Sequence, residues 1–222
     1  MRTGGTCIGA AAVDAVKALG RPIDVLLANA GIMALPKLEQ AHGYELQFFT
    51  NHIGHFILAT GLLDSLSAAA RVVVVRVLGT TSPRAKASSS TTFRARTVIR
   101  KWRPYGQSKL ANGLFARALA KRFAGTTKTA NSLHPGGIAT NLSRHIDTPF
   151  SRAVFGSLGW VGLKSVGQGA AARCYVAVHP KAANVTGTYW SDCNVAASSK
   201  MGQNDALAQR LWDESERIAR TA

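Results

Sequence analysis

Four short apolar runs separated by segments of helical spacing constrain this chain more than any other feature. The runs are "IDVLLANAG" (23–31), "ARVVVVRVLG" (70–79), "KTANSLHP" (128–135) and "TGTYWSDCN" (186–194). Their length and β-branched content read as strands. Helical periodicity fills the gaps: "GAAAVDAVKALG" (9–20) closed by Gly20, the long segment 39–66, a helix from about Gly106 to Phe123, residues 167–180 stopped by Pro180, and 205–219. Strands alternating with helices predict an α/β fold with a parallel sheet in a single domain spanning 1–222. "IDVLLANAG" is apolar on both faces, as in a buried parallel strand.

The composition fits a globular domain, with 46% hydrophobic and 17% charged residues in 222. No apolar run reaches membrane-spanning length, and "MRTGGTCIGA" lacks the apolar core of a signal peptide. Cys7, Cys174 and Cys193 are widely spaced and form no metal-type pair. A reducing, cytoplasmic setting is therefore expected. The net charge of +16 is unevenly placed: no acidic residue lies between Asp64 and Asp147, and basic residues crowd 71–103. Residues 79–104 read as an irregular basic loop. Such a stretch can bind nucleic acid or anionic lipid, but no aromatic interleaving accompanies the charge. A solvated loop without a specific nucleic-acid partner is the reading taken here.

One pair carries chemistry. Tyr105 and Lys109 stand four apart at the start of a helical segment and so share a face. A carbonyl that accepts hydride also needs a proton. A free phenol, with a pKa of about 10, exchanges one poorly at neutral pH. An ammonium about 4 Å away in a medium of effective dielectric near 20 is worth about 4 kcal/mol, enough to lower that pKa by about three units. By itself "YGQSK" fits a surface Tyr–Lys pair equally well.

Four ordered segments, "LLANAGIMA", "ELQFFTNHIGHFILATGLL", "YGQSK" and "LHPGGIATNL", together resemble the short-chain dehydrogenase/reductase family. The similarity is to its retinol-dehydrogenase-like and WW-domain-oxidoreductase-like branch, and "DCNVA" with "ALAQRLWDESERI" points the same way. It covers the chain from about Arg21 onward. The resemblance implies a Rossmann-like, doubly wound parallel sheet that here is incomplete, the first three strands missing. It implies NAD or NADP as cofactor, and hydride exchange with a carbonyl or alcohol. Tyr105 would be the proton donor and acceptor, and Lys109 its tuner and a holder of the nicotinamide ribose. Asn51 would anchor a water of the proton relay. Asn29, Ala30 and Gly31 would line the cofactor cleft; Pro135 and Gly136 would shape the turn at the nicotinamide face, with Ile138 and Thr140 reaching the carboxamide and phosphate. His52 and His55 belong to the family's structural helix, and core packing is expected for them. Phe150, Phe155, Leu158 and Trp160 predict an apolar substrate.

Two pieces depart from the family pattern. "TGGTCIG" offers Gly4, Gly5 and Gly9 with the last gap one residue short and no strand before it. It reads as a chance likeness to a phosphate loop, so weak cofactor binding is expected. The serine expected at the end of "RVVVV" is replaced at Arg76 and Val77. A second reading is therefore an impaired fragment or pseudoenzyme that acts, if at all, as a binding or scaffold protein. With no partner strand on one side, Val25 to Leu27 are expected at an exposed edge that favours self-association.

Overall fold

The computed structural model describes residues 5–33, 35, 37–76, 102–136 and 164–221. Its five-stranded sheet runs in the order β1 (Ile23–Ala28), β4 (Leu66–Val75), β5 (Thr129–His134), β6 (Tyr189–Ser191), β7 (Asn194–Ala196). The first four strands are mutually parallel and β7 pairs antiparallel with β6. β4 shows why an unbroken valine run suits a central strand. Val72 and Val74 enter one core cluster with α4 (Trp102–Arg122) and α6 (Asp205–Thr221). Val73 and Val75 enter another with α5 (Val166–Val178). Helices cover both faces, the doubly wound arrangement. In the larger cluster Phe56, Phe115 and Trp212 pack with ring centroids 5.0–5.7 Å apart, Phe115 stacked on Trp212 and Phe56 edge-on to it.

α1 (Gly5–Lys17) leads into β1 and packs on α3 (Gly54–Gly61), where Gly61 leaves room for Val13. Of the glycines of "TGGTCIG", Gly5 opens α1 and Gly9 lies within it facing Ile57, so neither stands in a loop.

The reading of β1 as buried on both faces is corrected. β1 pairs with β4 alone among the described residues, and Val25 and Leu27 are 36% and 39% exposed. Among the described residues it lies at one edge of the sheet. The single helix read over 39–66 is also corrected. It begins with a hairpin of β2 (Gln40–Ala41) and β3 (Tyr44–Glu45). His42 and Gly43 take φ of 53° and 79° at its turn, the twist a two-residue hairpin needs. Glu45 then accepts from Phe48 N at 2.8 Å and caps α2 (Leu46–Phe48). A π-helical turn, Phe49–Ile53, joins α2 to α3, and Leu66 already belongs to β4. α4 starts at Trp102, four residues before the expected Gly106 and inside the segment read as loop. Pro104 falls in its first turn, where a missing N–H leaves no helical bond unmade. The rest of the basic stretch, 77–101, lies outside the described residues, as do Val77, Ile138, Thr140 and the apolar segment 150–160. Cys174 and Cys193 are free.

Candidate active site

β1 ends at Ala28, and the chain turns through Asn29, Ala30 and Gly31 at the carboxyl end of the sheet. Open α/β sheets hold ligands at this end. Asn29 and Ala30 are exposed and Gly31 is half-buried. The turn is clasped from behind by Asn51, which is wholly buried. Its Oδ1 accepts from Ile32 N at 2.8 Å, and its Nδ2 donates to Ile32 O at 2.9 Å and to Ser108 Oγ at 3.1 Å. Ser108 in turn donates to Tyr105 O at 2.8 Å. Asn51 sits in the π-helical turn, a distortion that recurs at functional sites because it re-aims side chains and carbonyls.

Tyr105 and Lys109 lie on one face of α4, 7% and 3% exposed. The Lys109 ammonium stands 5.5 Å from the Tyr105 ring centroid. It also stands 3.5 Å from where a Cβ on Gly31 would be; that Cβ would lie 3.0 Å from Asn51 Oδ1. Having no Cβ, Gly31 lets the Asn51 amide and the Lys109 ammonium close in on the turn. The four residue groups at 29–31, 51, 105–109 and 135–136 come to the same end of the fold. Pro135 is buried just past β5, and Gly136 turns with φ of 88° against the Lys164 side chain, which is ion-paired with Asp192.

The electrostatics correct one expectation. The phenol of Tyr105 is not lowered by its lysine; burial pushes it up to about 12. Lys109 is itself pushed down to about 8, by burial first and then by the Arg173 charge. With the ammonium 5.5 Å from the ring centroid, loss of water outweighs its charge at the phenol. His55, 6% exposed, is pushed down to about 4 by burial and by Lys109. His52 has both ring nitrogens engaged, Nδ1 with Asn112 Oδ1 at 3.3 Å and Nε2 with Ser215 Oγ at 2.9 Å. It is a core residue linking the π-turn to α4 and α6, neutral because burial holds its pKa at about 3.

Ser108 and Arg173 were not singled out in the sequence. Ser108 stands three residues after Tyr105, so helical spacing alone could have placed it. Arg173 comes from α5 and reaches Lys109 only through the fold. Arg76, at the place of the expected serine, is buried and points away among α4, β6 and the segment 198–202.

Residues 8–149 match the short chain dehydrogenase family. The chain is 39% identical over 207 residues to the short-chain dehydrogenase TIC 32 A, chloroplastic, of Brassica napus, covering 89% of this chain and 64% of that protein. It is 38% identical over 200 residues to human retinol dehydrogenase 14, covering 87% and 58%. The chain thus spans less than two thirds of either relative. Among solved structures, an uncharacterized protein from Mycobacterium Paratuberculosis superposes with a TM-score of 0.66 at 28% identity, covering 90% of this chain and 68% of that one. The angucycline C-6 ketoreductase LanV with bound NADP shares the fold, with a TM-score of 0.57 at 20% identity, covering 77% and 61%.

Proposed function

The chain belongs to the short-chain dehydrogenase/reductase family, and from that premise we propose that it exchanges hydride between NAD or NADP and an apolar carbonyl or alcohol. The observation that carries this reading is the burial of Tyr105 and Lys109 on one helical face beside Gly31 and Asn51. A phenol held up at about 12 is fully protonated at neutral pH. That suits a proton donor to a carbonyl in the reducing direction. Lys109, near 8, remains mostly cationic at pH 7 and supplies positive charge where an alkoxide develops. Asn51 fixes the distance between the 29–31 turn and α4.

The bound nicotinamide cofactor would supply the hydride. Lys109 and the 29–31 turn beside it would hold its nicotinamide ribose. Its pyrophosphate finds no glycine loop among the described residues, where Gly9 is half-buried within α1 against Ile57. Weak cofactor binding follows. The apolar substrate rests on Phe150, Phe155, Leu158 and Trp160, and on the name of the human retinol dehydrogenase to which the chain is similar. Self-association through the exposed β1 edge is part of the same proposal.

The test is NADPH- or NADH-dependent reduction of a panel of apolar aldehydes and ketones. Tyr105→Phe keeps the ring's packing and is expected to lower the rate about 10²- to 10⁴-fold. A variant with most of its turnover intact removes Tyr105 from the chemistry.

A further inference from the structure

Arg76 follows the last residue of β4, and its backbone N–H donates to Leu133 O at 2.8 Å. Its side chain runs between α4, β6 and the segment 198–202. Nη1 donates to Ser198 Oγ at 2.7 Å, and Cζ lies 4.5 Å from the Tyr189 ring centroid. Gly113 and Gly202 make the room: a Cβ on either would stand 2.9 or 3.1 Å from Nη1. The residue is 6% exposed, yet Nε meets no acceptor among the described residues. Tyr189, 4% exposed, also has a hydroxyl with no partner there. Both residues line one cleft of about 210 Å³, together with Arg117, Ser132, Thr188 and Gln203. Arg117 is already paired with Asp205, so among the described residues the cleft holds one cation with a carboxylate and one without.

A guanidinium so far removed from water needs an acceptor, and so does a buried phenol hydroxyl. An oxyanion offers several lone pairs, and its bond to a guanidinium is charge-assisted and stronger than a neutral one. We infer that this cleft binds a small oxyanion, a phosphate or carboxylate group, with Arg76 as its charge partner and the Tyr189 hydroxyl as a second donor. Burial pushes Arg76 below and Tyr189 above their ordinary pKa values, as for groups whose partner is absent. The cleft is separate from the hydride-transfer site. Gly113 and Arg117 lie roughly 80° and 120° around α4 from Tyr105, and two to three turns along it. The proposal does not rest on catalysis. Within 77–101 and 137–163, Asp147 is the sole carboxylate, so it is the one residue there that could neutralise Arg76 from inside the chain.

The experiment is calorimetric and thermal titration of the full chain with sodium phosphate, sodium acetate and sodium chloride at matched ionic strength. Phosphate or acetate is expected to raise the melting temperature saturably, and chloride is not. The oxyanion that saturates at lower concentration identifies the group. Tyr189→Phe, which removes only the hydroxyl, is expected to raise Kd about 5- to 10-fold. Arg76→Gln is expected to abolish saturation. Should that variant fail to fold, Tyr189→Phe still decides. Equal binding by Tyr189→Phe and the parent overturns the proposal, as does a response no different from chloride. A phosphate or acetate response that emerges only in Asp147→Asn assigns the cleft to the chain's own carboxylate and overturns it as well.

Discussion

Replacing Asn51 with alanine tests the clasp that joins the β1 exit to the Tyr105 helix. Three hydrogen bonds disappear: those to Ile32 N and Ile32 O, and the one to Ser108 Oγ. Ser108 keeps its bond to Tyr105 O, so it is not orphaned. Ile32 is only half-buried, and water can partly replace Asn51 at its backbone. Each backbone group then costs about 1 kcal/mol, the low end for an orphaned partner, and the lost Ser108 bond about 1 more. A destabilisation of about 3 kcal/mol is expected. With an m-value of about 2 kcal/mol/M in urea, the midpoint falls by about 1.5 M. Exchange of the Ile32 amide with solvent should quicken in parallel. Asn51→Asp is a harder case, because it keeps the acceptor for Ile32 N but sets carboxylate oxygens against Ile32 O. A midpoint for Asn51→Ala within about 0.3 M of the parent, or an Ile32 amide exchanging at the parental rate, refutes the clasp.

Acid should destabilise the fold through its buried histidines. His52 and His55 have folded pKa values of about 3 and about 4, against about 6.5 unfolded. Between those limits the unfolded chain binds more protons, so stability falls as pH drops from 6.5 toward 4. At pH 5 each histidine contributes about 2 kcal/mol of loss, and urea midpoints unchanged between pH 7 and pH 5 would sink the idea. Lys109 is also depressed, to about 8, so its contribution makes stability rise as pH climbs from about 8 toward its unfolded value near 10.4. Lys109→Met should flatten that rise; an unaltered profile would show that another group is responsible. Val25→Lys and Leu27→Lys place charge on the open sheet edge and should shift the chain toward monomer in light scattering across a concentration series. A parent that stays monomeric throughout contradicts self-association at β1.

What could be read in the chain beforehand divides by range. The valines of β4 marked it as a strand, but the burial on both faces read for β1 belongs to β4 instead, because β1 lacks a neighbour on one side among the described residues. Tyr105 and Lys109 share a face because four residues make about one turn. His42 and Gly43 carried a turn signal, but the apolar spacing that follows extended a helix back over them. The start of α4 was read at about Gly106 because residues up to 104 show no clear periodicity, whereas the helix begins at Trp102 with Pro104 in its first turn. The departure at Arg76 was visible as a misplaced residue, but its burial against Tyr189 was not. Nor was the direction of the Tyr105 shift. It depends on how much water the fold removes, and the accompanying Lys109 shift also on where Arg173 arrives from α5; neither is encoded near Tyr105.

The π-helical turn at Phe49–Ile53 also fixes how long its segment must be. An α-helix advances about 100° per residue, and a π-turn absorbs one residue more than an α-turn over the same rise. Asn51 serves Ile32 and Ser108, while His52 serves Asn112 and Ser215. Deleting one residue between Phe49 and Ile53 would restore uniform α-helix while swinging one of those sets about 100° out of phase. The segment therefore works as a counted spacer, in which substitutions can be absorbed one at a time but a change of length cannot.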